Sequence, residues 1–430
     1  MPVRSCDLVV AEASEVISSP PNATPLRGEM LDHLDVTRFA SVAIDAGRVL
    51  AVGPHEEITR RFTPRSVLDA SGRVVSAGLI DPHTHLVHGG TRDAEYEAIV
   101  VGADPAATRL SGGINSTVAM TRAESDTELT SRAIDDLDAM LALGTTTIEA
   151  KSGYGFLPDQ ELRLLRILAD LSHPMSIERT YLGAHVVPDG VERRNFVDGV
   201  IETLPEARLL ADWCDVFCDR IGFTIPETRA IAAAAQTAGF KIRLHADQTA
   251  DIGAAALAAE LGASSADHLD CISDQGIAAL ADAMTVGVVL PTVALHMLEV
   301  VPGLVEGRLV PPPKADLVER VHAMISGGVP VALSTDYNPG SSPCLSMQLV
   351  MQLAMRLFRL SYAQVWNMAT ANAAHSLDLG SDRGTIAPGM RADLVVWNVP
   401  THGLVVNRFG SSHTAHVIKD GNVVYSATRP

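Results

Sequence analysis

The sequence has few aromatic residues and few cysteines, and it lacks a long apolar run. Aromatic residues make up 4% of its 430 residues, and its five cysteines are Cys6, Cys214, Cys218, Cys271 and Cys344. The odd count, without a recognisable disulfide spacing, argues against a disulfide-rich secreted protein and predicts a reducing, cytoplasmic location. No run reaches the roughly 18 apolar residues of a membrane-spanning helix, and the N-terminus lacks the apolar core of a signal peptide. We therefore expect no membrane partner.

Positive charge is also scarce. Lysine and arginine together number 33 against 51 aspartates and glutamates, which gives a formal net charge of -18. An excess of negative charge disfavours binding to nucleic acid or to an anionic membrane surface. The small-molecule partner that we expect follows from the motifs described below. Hydrophobic residues make up 47% of the chain. That content and the chain length suit a large catalytic unit with a smaller accessory domain.

The middle of the chain alternates short apolar runs with longer helical patterns. Eight such runs occur, at residues 74–85, 145–151, 178–185, 214–219, 241–247, 265–270, 285–292 and 329–336. Regular alternation of strands and helices predicts a (β/α)8 TIM-like barrel, and a doubly wound open sheet is the alternative. Strand 2 of this count ends at Lys151, and strand 4 ends at Cys218 and Asp219.

Both ends of the chain have a different pattern. Strand-like runs separated by Gly, Pro and Asp occur in residues 1–75 and again in residues 379–430. We interpret them as the two parts of one small β-sandwich domain, with the barrel at residues 76–378.

Polar residues end several of the predicted barrel strands, where barrel enzymes place their active sites. These residues are His83 and His85 (strand 1), Lys151 (strand 2), His185 (strand 3), His245 (strand 5), Asp267 and His268 (strand 6), and Asp336 (strand 8). His83 and His85 project to one face, because side chains repeat every two residues along a strand. Imidazoles in close pairs suit zinc or iron, and His245 and Asp336 would complete a mixed nitrogen and oxygen shell. The pattern predicts a catalytic metal site with an open position for water.

Several motifs are more specific than these strand ends. They are GLIDPHTHLVHGGTR (78–92), LSGGINSTV (110–118), EAKSGYGF (149–156), TYLGAH (180–185), DVFCD (215–219), LHADQ (244–248), ADHL (266–269) and STDYNPGSS (334–342). Over most of its length the chain resembles the imidazolonepropionase family, amidohydrolases of histidine degradation. The resemblance implies metal-dependent hydrolysis of the cyclic amide of 4-imidazolone-5-propanoate to N-formimidoyl-L-glutamate.

The resemblance also implies roles for individual residues. The metal ligands are His83, His85, His245 and Asp336, around one divalent ion, Zn or Fe. The substrate-binding residues are Arg92, Tyr154, His185, Gln248, Asn338, Gly340 and Ser341, and the catalytic residues are Asp336, His268 and Gln248. A guanidinium such as that of Arg92 suits a propionate, since two parallel N–H bonds fit a carboxylate. By resemblance we also expect a homodimer.

Gln248 affects both the mechanism and the alternatives. A glutamine side chain cannot take up a proton, so Asp336 and His268 remain as candidates for the general base. Another cyclic amidohydrolase or a nucleobase deaminase of the same superfamily is the first alternative, although such a deaminase commonly has Glu at this position. A catalytically silent metal-binding scaffold is the second. Lys151 ends strand 2 rather than strand 4, where some amidohydrolases have a lysine that bridges two metals, so we expect a single metal.

Overall fold

The computed structural model describes residues 3–101, 113–300, 303–305, 308–310 and 314–428. The first three residues of the motif at 110–118 lie outside these ranges. In this part of the chain, eight parallel strands form one sheet and both ends of the chain build a second sheet of eight strands, here called the terminal sheet. A separate hairpin pairs Gly303–Val305 with Arg308–Val310.

The parallel sheet confirms the predicted (β/α)8 barrel. Its strands, in chain order, are Leu79–Asp81, Thr145–Lys151, Ser176–Ala184, Trp213–Cys218, Lys241–Ala246, Ser265–His268, Val286–Val289 and Val331–Leu333. Each strand lies beside the next one in the chain. A doubly wound sheet reverses its strand order at a switch point, so that alternative is wrong.

Asp81 links the first barrel strand to the eighth. Its carboxylate accepts hydrogen bonds from the Thr335 backbone N–H at 3.0 Å and hydroxyl at 2.6 Å, and from the Ser334 hydroxyl. Just beyond these strands, the His85 N–H donates to the Tyr337 carbonyl at 2.8 Å. These contacts bring the ends of strands 1 and 8 together at the C-terminal face of the barrel.

The helices alternate with the barrel strands as predicted. Their bounds are Asp93–Val100, Ile114–Ala123, Asp126–Ala142, Pro158–Asp170, Arg193–Ala207, Ile225–Thr237, Ala254–Glu260, Asp274–Ala283, Pro291–Val300, Lys314–Ser326, Met347–Phe358, Tyr362–Ala369 and Ala371–Ser376. Side-chain caps begin several of them, as at Ser125, whose hydroxyl accepts from the Glu128 N–H while Glu128 accepts from the Ser125 N–H. In the described ranges, no helix combines the length and apolar character needed to cross a bilayer.

The terminal sheet joins strands from both ends of the chain, as predicted. Its strand order is Asn422–Ser426, Thr414–Lys419, Leu394–Trp397, Val74–Ala77, Arg4–Ser18, Asp35–Asp45 and Arg48–Pro54, with Phe62–Asp69 also paired to Arg4–Ser18. Shorter helices at His55–Arg61 and His402–Asn407 and a 3-10 turn at Gly28–Asp32 accompany it.

One predicted strand is two strands in the structure. The run at 74–85 contains Val74–Ala77, which pairs with Leu394–Trp397 and with Arg4–Ser18 in the terminal sheet, and Leu79–Asp81, which begins the barrel. The prediction of a single strand is wrong because an uninterrupted apolar run does not show which of two sheets each half joins.

Candidate metal centre

Four imidazoles and one carboxylate converge at the C-terminal ends of the barrel strands. The rings of His83 and His245 are 4.5 Å apart between centroids, and that of His268 lies 5.1 Å from His245. The ring of His85 lies 5.6 Å from that of His83. Asp336 lies among them, with its Oδ1 3.4 Å from His85 Nε2 and 3.5 Å from His83 Nε2. The four residues predicted as metal ligands therefore lie together, and His268 lies with them.

Several polar atoms in this cluster are buried and have no hydrogen-bond partner in the described residues. They include His83 Nε2, His85 Nδ1, both ring nitrogens of His268, and Asp336 Oδ1. Two overlapping groups, His83 with His245 and His268, and His83 with His85 and Asp336, each have ligand atoms within 4.8 Å of one another. Buried acceptors without donors are costly unless a cation satisfies them, and imidazole with carboxylate is a donor set that divalent metals accept. These residues therefore fit a metal ion.

Carboxylates stand behind two of the imidazoles. His83 Nδ1–H donates to Asp267 Oδ2 at 2.6 Å, and His245 Nδ1 lies 3.0 Å from Asp215 Oδ2. A partner at Nδ1 fixes the tautomer and turns Nε2 towards the cluster, which is the usual arrangement around a metal-binding histidine.

Two buried cations lie deeper in the barrel. Lys151 Nζ is 2.9 Å from both Glu149 and Asp215, so its charge is paired with two carboxylates within the barrel. Arg243 donates to Asp267 at 3.2 Å and to the Pro82 carbonyl at 2.7 Å. Burial tends to lower the pKa of Lys151, but the carboxylates of Asp215 and Glu149 outweigh it and raise that pKa, so the ammonium stays charged.

Burial also sets the charge of the site itself. It lowers the pKa of His83 and of His85 well below the ordinary value, and it lowers the pKa of His268 to about 3. It raises the pKa of Asp336 above its ordinary value. The imidazoles of His83, His85 and His268 are therefore neutral near pH 7, which is the form that binds metals.

A cavity of about 260 Å³ opens above the cluster. Its lining includes the predicted substrate-binding residues Arg92, Tyr154, His185, Gln248, Asn338 and Ser341, together with His85, His245, His268 and Asp336. Ile114, Val186, Phe217, Ile221 and His296 complete the lining. Most of the lining side chains are thus polar or charged and only four are apolar, which suits a small polar ligand.

Tyr154 and His185 form one wall of this cavity. The ring of His185 stacks on that of His85 at 5.2 Å, and the ring of Tyr154 lies 5.4 Å from His85 and 5.6 Å from His185. His185 Nδ1–H donates to the Gly153 carbonyl at 2.8 Å, which leaves Nε2 as an acceptor.

Arg92 also lines the cavity. Its Nε and Nη2 donate to the Glu95 carboxylate, the first of them at 3.1 Å. Its Nη1 approaches Gly340 so closely that a Cβ on that residue would lie 2.1 Å away. Glycine at position 340 thus allows the guanidinium to reach the cavity.

Asn338 and Gln248 both line the cavity, and the Asn338 side chain also bonds to its own loop. The Asn338 amide donates to the Asp336 carbonyl at 2.7 Å and accepts from the N–H groups of Gly340 and Ser341 at 2.9 and 2.8 Å. These bonds shape the loop that follows Asp336. Gln248 lines the cavity, and hydrogen bonds hold both of its neighbours in the sequence. Asp247 accepts from N–H groups of the next helix, and the Thr249 N–H donates to Asp219.

Five supporting residues were not identified from the sequence: Asp81, Glu149, Glu161, Asp215 and Arg243. All are buried charged residues. The available signal was a charged residue flanked by apolar residues within a strand, as at Asp215 in WCDVFC and at Arg243 between Ile242 and Leu244. Charges in such positions need a partner, so each of them indicates a second buried charge nearby.

The chain is similar to known amidohydrolases. The model of the Amidohydrolase family matches residues 93–425. The imidazolonepropionase of Geobacillus kaustophilus (strain HTA426) is 40% identical over 415 residues, covering 94% of this chain and 94% of that relative. The imidazolonepropionase of Bacillus cytotoxicus is 36% identical over 428 residues, covering 98% and 97%.

Solved structures share the fold. An adenosine deaminase from Xanthomonas campestris with bound zinc has a TM-score of 0.69 at 18% identity, covering 98% of this chain and 93% of that one. The guanine deaminase of E. coli has a TM-score of 0.65 at 16% identity, covering 98% and 99%. At such identities the likeness establishes the barrel with its second sheet and nothing about the substrate.

Proposed function

The chain belongs to the imidazolonepropionase family of amidohydrolases, and we propose how its residues open the ring of 4-imidazolone-5-propanoate. The reaction hydrolyses one C–N bond of the cyclic amide and gives N-formimidoyl-L-glutamate, a step of histidine degradation. One water is consumed. Its oxygen joins the carbonyl carbon, one of its protons goes to the departing ring nitrogen, and the other leaves as the new carboxyl group ionises to a carboxylate.

One observation supports this reaction above all. Four imidazoles and Asp336 converge below a cavity whose lining also includes Arg92. We assign one divalent ion, zinc or iron, to His83, His85, His245 and Asp336. When bound, such an ion supplies Lewis acidity, which polarises a carbonyl and lowers the pKa of water towards 7. A single ion is supported by Lys151, whose Nζ is already held by two carboxylates at 2.9 Å.

Arg92 is assigned to the propionate of the substrate. Glu95 occupies the Nε side of the guanidinium, so the Nη1 side, which lies against Gly340, is directed to the substrate. Two N–H groups of a guanidinium match the two oxygens of a carboxylate. Tyr154, His185 and the loop of Asn338 and Ser341 enclose the ring, and Gln248 can both donate to and accept from its edge.

Asp336 is assigned to the proton transfers. A carboxylate next to the reacting water can take its proton and later deliver it to the departing nitrogen. His268 Nε2 lies 3.9 Å from Asp336 Oδ2. From there the neutral imidazole of His268 can orient the attacking water or donate to the developing oxyanion.

Replacement of Asp336 by Asn tests this assignment. We expect kcat to fall by at least about a hundredfold, since the general base is lost, and we expect the metal content to fall with it. Loss of imidazolonepropionate absorbance and metal analysis of the purified protein measure the two effects. The matched control is Asp198→Asn on an exposed helix face, which should retain both. Full turnover in the Asp336→Asn enzyme would reject the assignment.

The predictions of a homodimer and of a cytoplasmic location remain proposals. The net charge of -18 and five cysteines that are all free are consistent with a reducing compartment and with a small-molecule partner. Light scattering on the purified protein tests the dimer, and a monomer at micromolar concentration would contradict it.

A further inference from the structure

Glu161 has an unusual place for a glutamate in the first turn of a helix. It belongs to the helix Pro158–Asp170, yet only 2% of its surface is exposed. Its carboxylate turns back to the preceding loop and accepts three backbone N–H bonds, from Gly153 at 2.6 Å, Gly155 at 2.7 Å and Phe156 at 2.8 Å. Successive N–H groups that enclose one anion form a nest, and here the anion is a side chain of the protein itself.

The loop that Glu161 holds, residues 152–156, carries Tyr154. Tyr154 is buried and forms the cavity wall with His185. The Gly153 carbonyl in the same loop accepts from His185 Nδ1–H at 2.8 Å. From the other side, Arg122 Nε donates to the Gly155 carbonyl at 2.8 Å. Both cavity residues therefore depend on the position of one short loop whose three N–H groups end on Glu161.

We propose that Glu161 is the positioning residue of the substrate-binding wall, which sets Tyr154 through the loop and His185 through the Gly153 carbonyl. This inference rests on the proposed function, because it assigns the wall to the substrate. Glu161 does not line the metal cluster, so its effect should appear in substrate binding rather than in metal binding.

The chemistry of the nest requires a carboxylate. Its two oxygens accept from three N–H donors, whereas the isosteric Gln has one accepting oxygen and one NH2 group. In Glu161→Gln that NH2 faces at least one backbone N–H, so a buried donor loses its partner and the loop has to shift.

Steady-state kinetics of Glu161→Gln test the proposal. We expect KM for imidazolonepropionate to rise about tenfold or more, while kcat stays within about threefold, because uniform binding is lost and the reacting groups are retained. Metal content should equal that of the wild type. The matched control is Asp159→Asn, which removes an exposed carboxylate from the same helical turn and should leave KM unchanged.

A double-mutant cycle separates positioning from general destabilisation. If Glu161 acts through Tyr154, Glu161→Gln should raise KM clearly less in a Tyr154→Phe background than in the wild type. An unchanged KM in the single variant, or a rise in KM that is as large in both a Tyr154→Phe and a His185→Gln background as in the wild type, would overturn the proposal. If Glu161→Gln does not fold, Glu161→Asp, which withdraws the carboxylate by one methylene, should show the same rise in KM, and an unchanged KM would again overturn it. Wild-type protein that does not hydrolyse imidazolonepropionate would instead reject the function.

Discussion

At the scale of single residues, the arrangement around His83 shows how the barrel interior supports the site. Asp267 accepts from His83 Nδ1–H at 2.6 Å and from Arg243 at 3.2 Å, and Arg243 also donates to the carbonyl of Pro82, the residue before His83. The backbone and the ring of His83 are thus held by one chain of buried hydrogen bonds. Such partners orient a ligand and raise its basicity.

We therefore expect Asp267→Asn to weaken metal binding by about 10- to 100-fold, because the carboxylate that fixes the His83 tautomer is lost. Competition between the protein and a chelator of known affinity measures the change. The matched control is Asp393→Asn in the terminal sheet, another buried aspartate, which pairs with Lys419 at 3.1 Å far along the chain from the histidines. It should cost stability but not metal affinity, and equal losses in both variants would contradict the role of Asp267.

The sequence predicted the strand-end residues but not the charges that support them. His83, His85, His245 and Asp336 stand where parallel strands end, and such ends meet at one face. Asp215 and Arg243 stand within strands, and their partners depend on strand register, which the sequence does not specify. His245 pairs in register with Phe217, while its ring reaches Asp215 two residues earlier.

At the scale of elements, the order of strands and helices follows from periodicity and turn residues, and the structure confirms it. The exception at Val74–Ala77 has a physical reason. Val74–Ala77 is buried along its whole length, as a strand of a parallel barrel would also be, so its apolar residues suit both assignments. Only the pairing partners, Leu394–Trp397 and Arg4–Ser18, decide between them, and they lie far away in the sequence.

The helix Ile225–Thr237 begins with a carboxylate that also contacts the preceding helix. Glu227 accepts from the Thr224 N–H at 2.9 Å and from Arg193 Nε at 2.6 Å, so it caps its own helix and holds the start of the preceding one. The hydrogen bond from Arg193 is the main cause that lowers the pKa of Glu227 to about 2. A pKa below the ordinary value of 4.5 means that the stabilisation is complete above that value and is lost as the pH falls towards 2.

We expect Glu227→Gln to lower the free energy of unfolding by up to about 1 kcal/mol at pH 7, because the ion pair with Arg193 is lost while Gln can still accept from the Thr224 N–H. The difference from the wild type should shrink as the pH is lowered from 5 towards 3. Urea denaturation at several pH values measures it. Glu260→Gln, which removes an exposed partner of Arg229, is the control and should have a smaller effect. A difference that does not depend on pH would contradict the role of the Glu227 charge.

At the scale of the whole molecule, Trp397 joins the terminal sheet to the barrel. It ends the strand Leu394–Trp397, and its Nε1–H donates to the Ser76 hydroxyl at 2.8 Å within that sheet. Its ring packs against Trp366 at 5.9 Å and against Gly144, where a Cβ would lie 2.7 Å from the indole. Gly144 immediately precedes the second barrel strand. The predicted division of the chain after residues 75 and 378 remains a prediction. Trp397 is one of the residues of the chain ends that belong to the same hydrophobic core as the barrel.

Trp397→Ala should therefore allow the terminal sheet and the barrel to unfold independently of each other. We expect a loss of about 3–5 kcal/mol, typical of a buried tryptophan replaced by alanine, and we expect the terminal sheet to unfold before the barrel. All three tryptophans are at most 1% exposed, so the shift in their fluorescence reports on unfolding alongside far-UV circular dichroism. In the wild type, fluorescence and circular dichroism should both change at the same guanidinium concentration. In Trp397→Ala they should change at two different concentrations. Phe409→Ala, at a site 54% exposed, is the control and should retain the wild-type midpoint. A single unshifted transition in Trp397→Ala would show that the barrel and the terminal sheet do not depend on this contact.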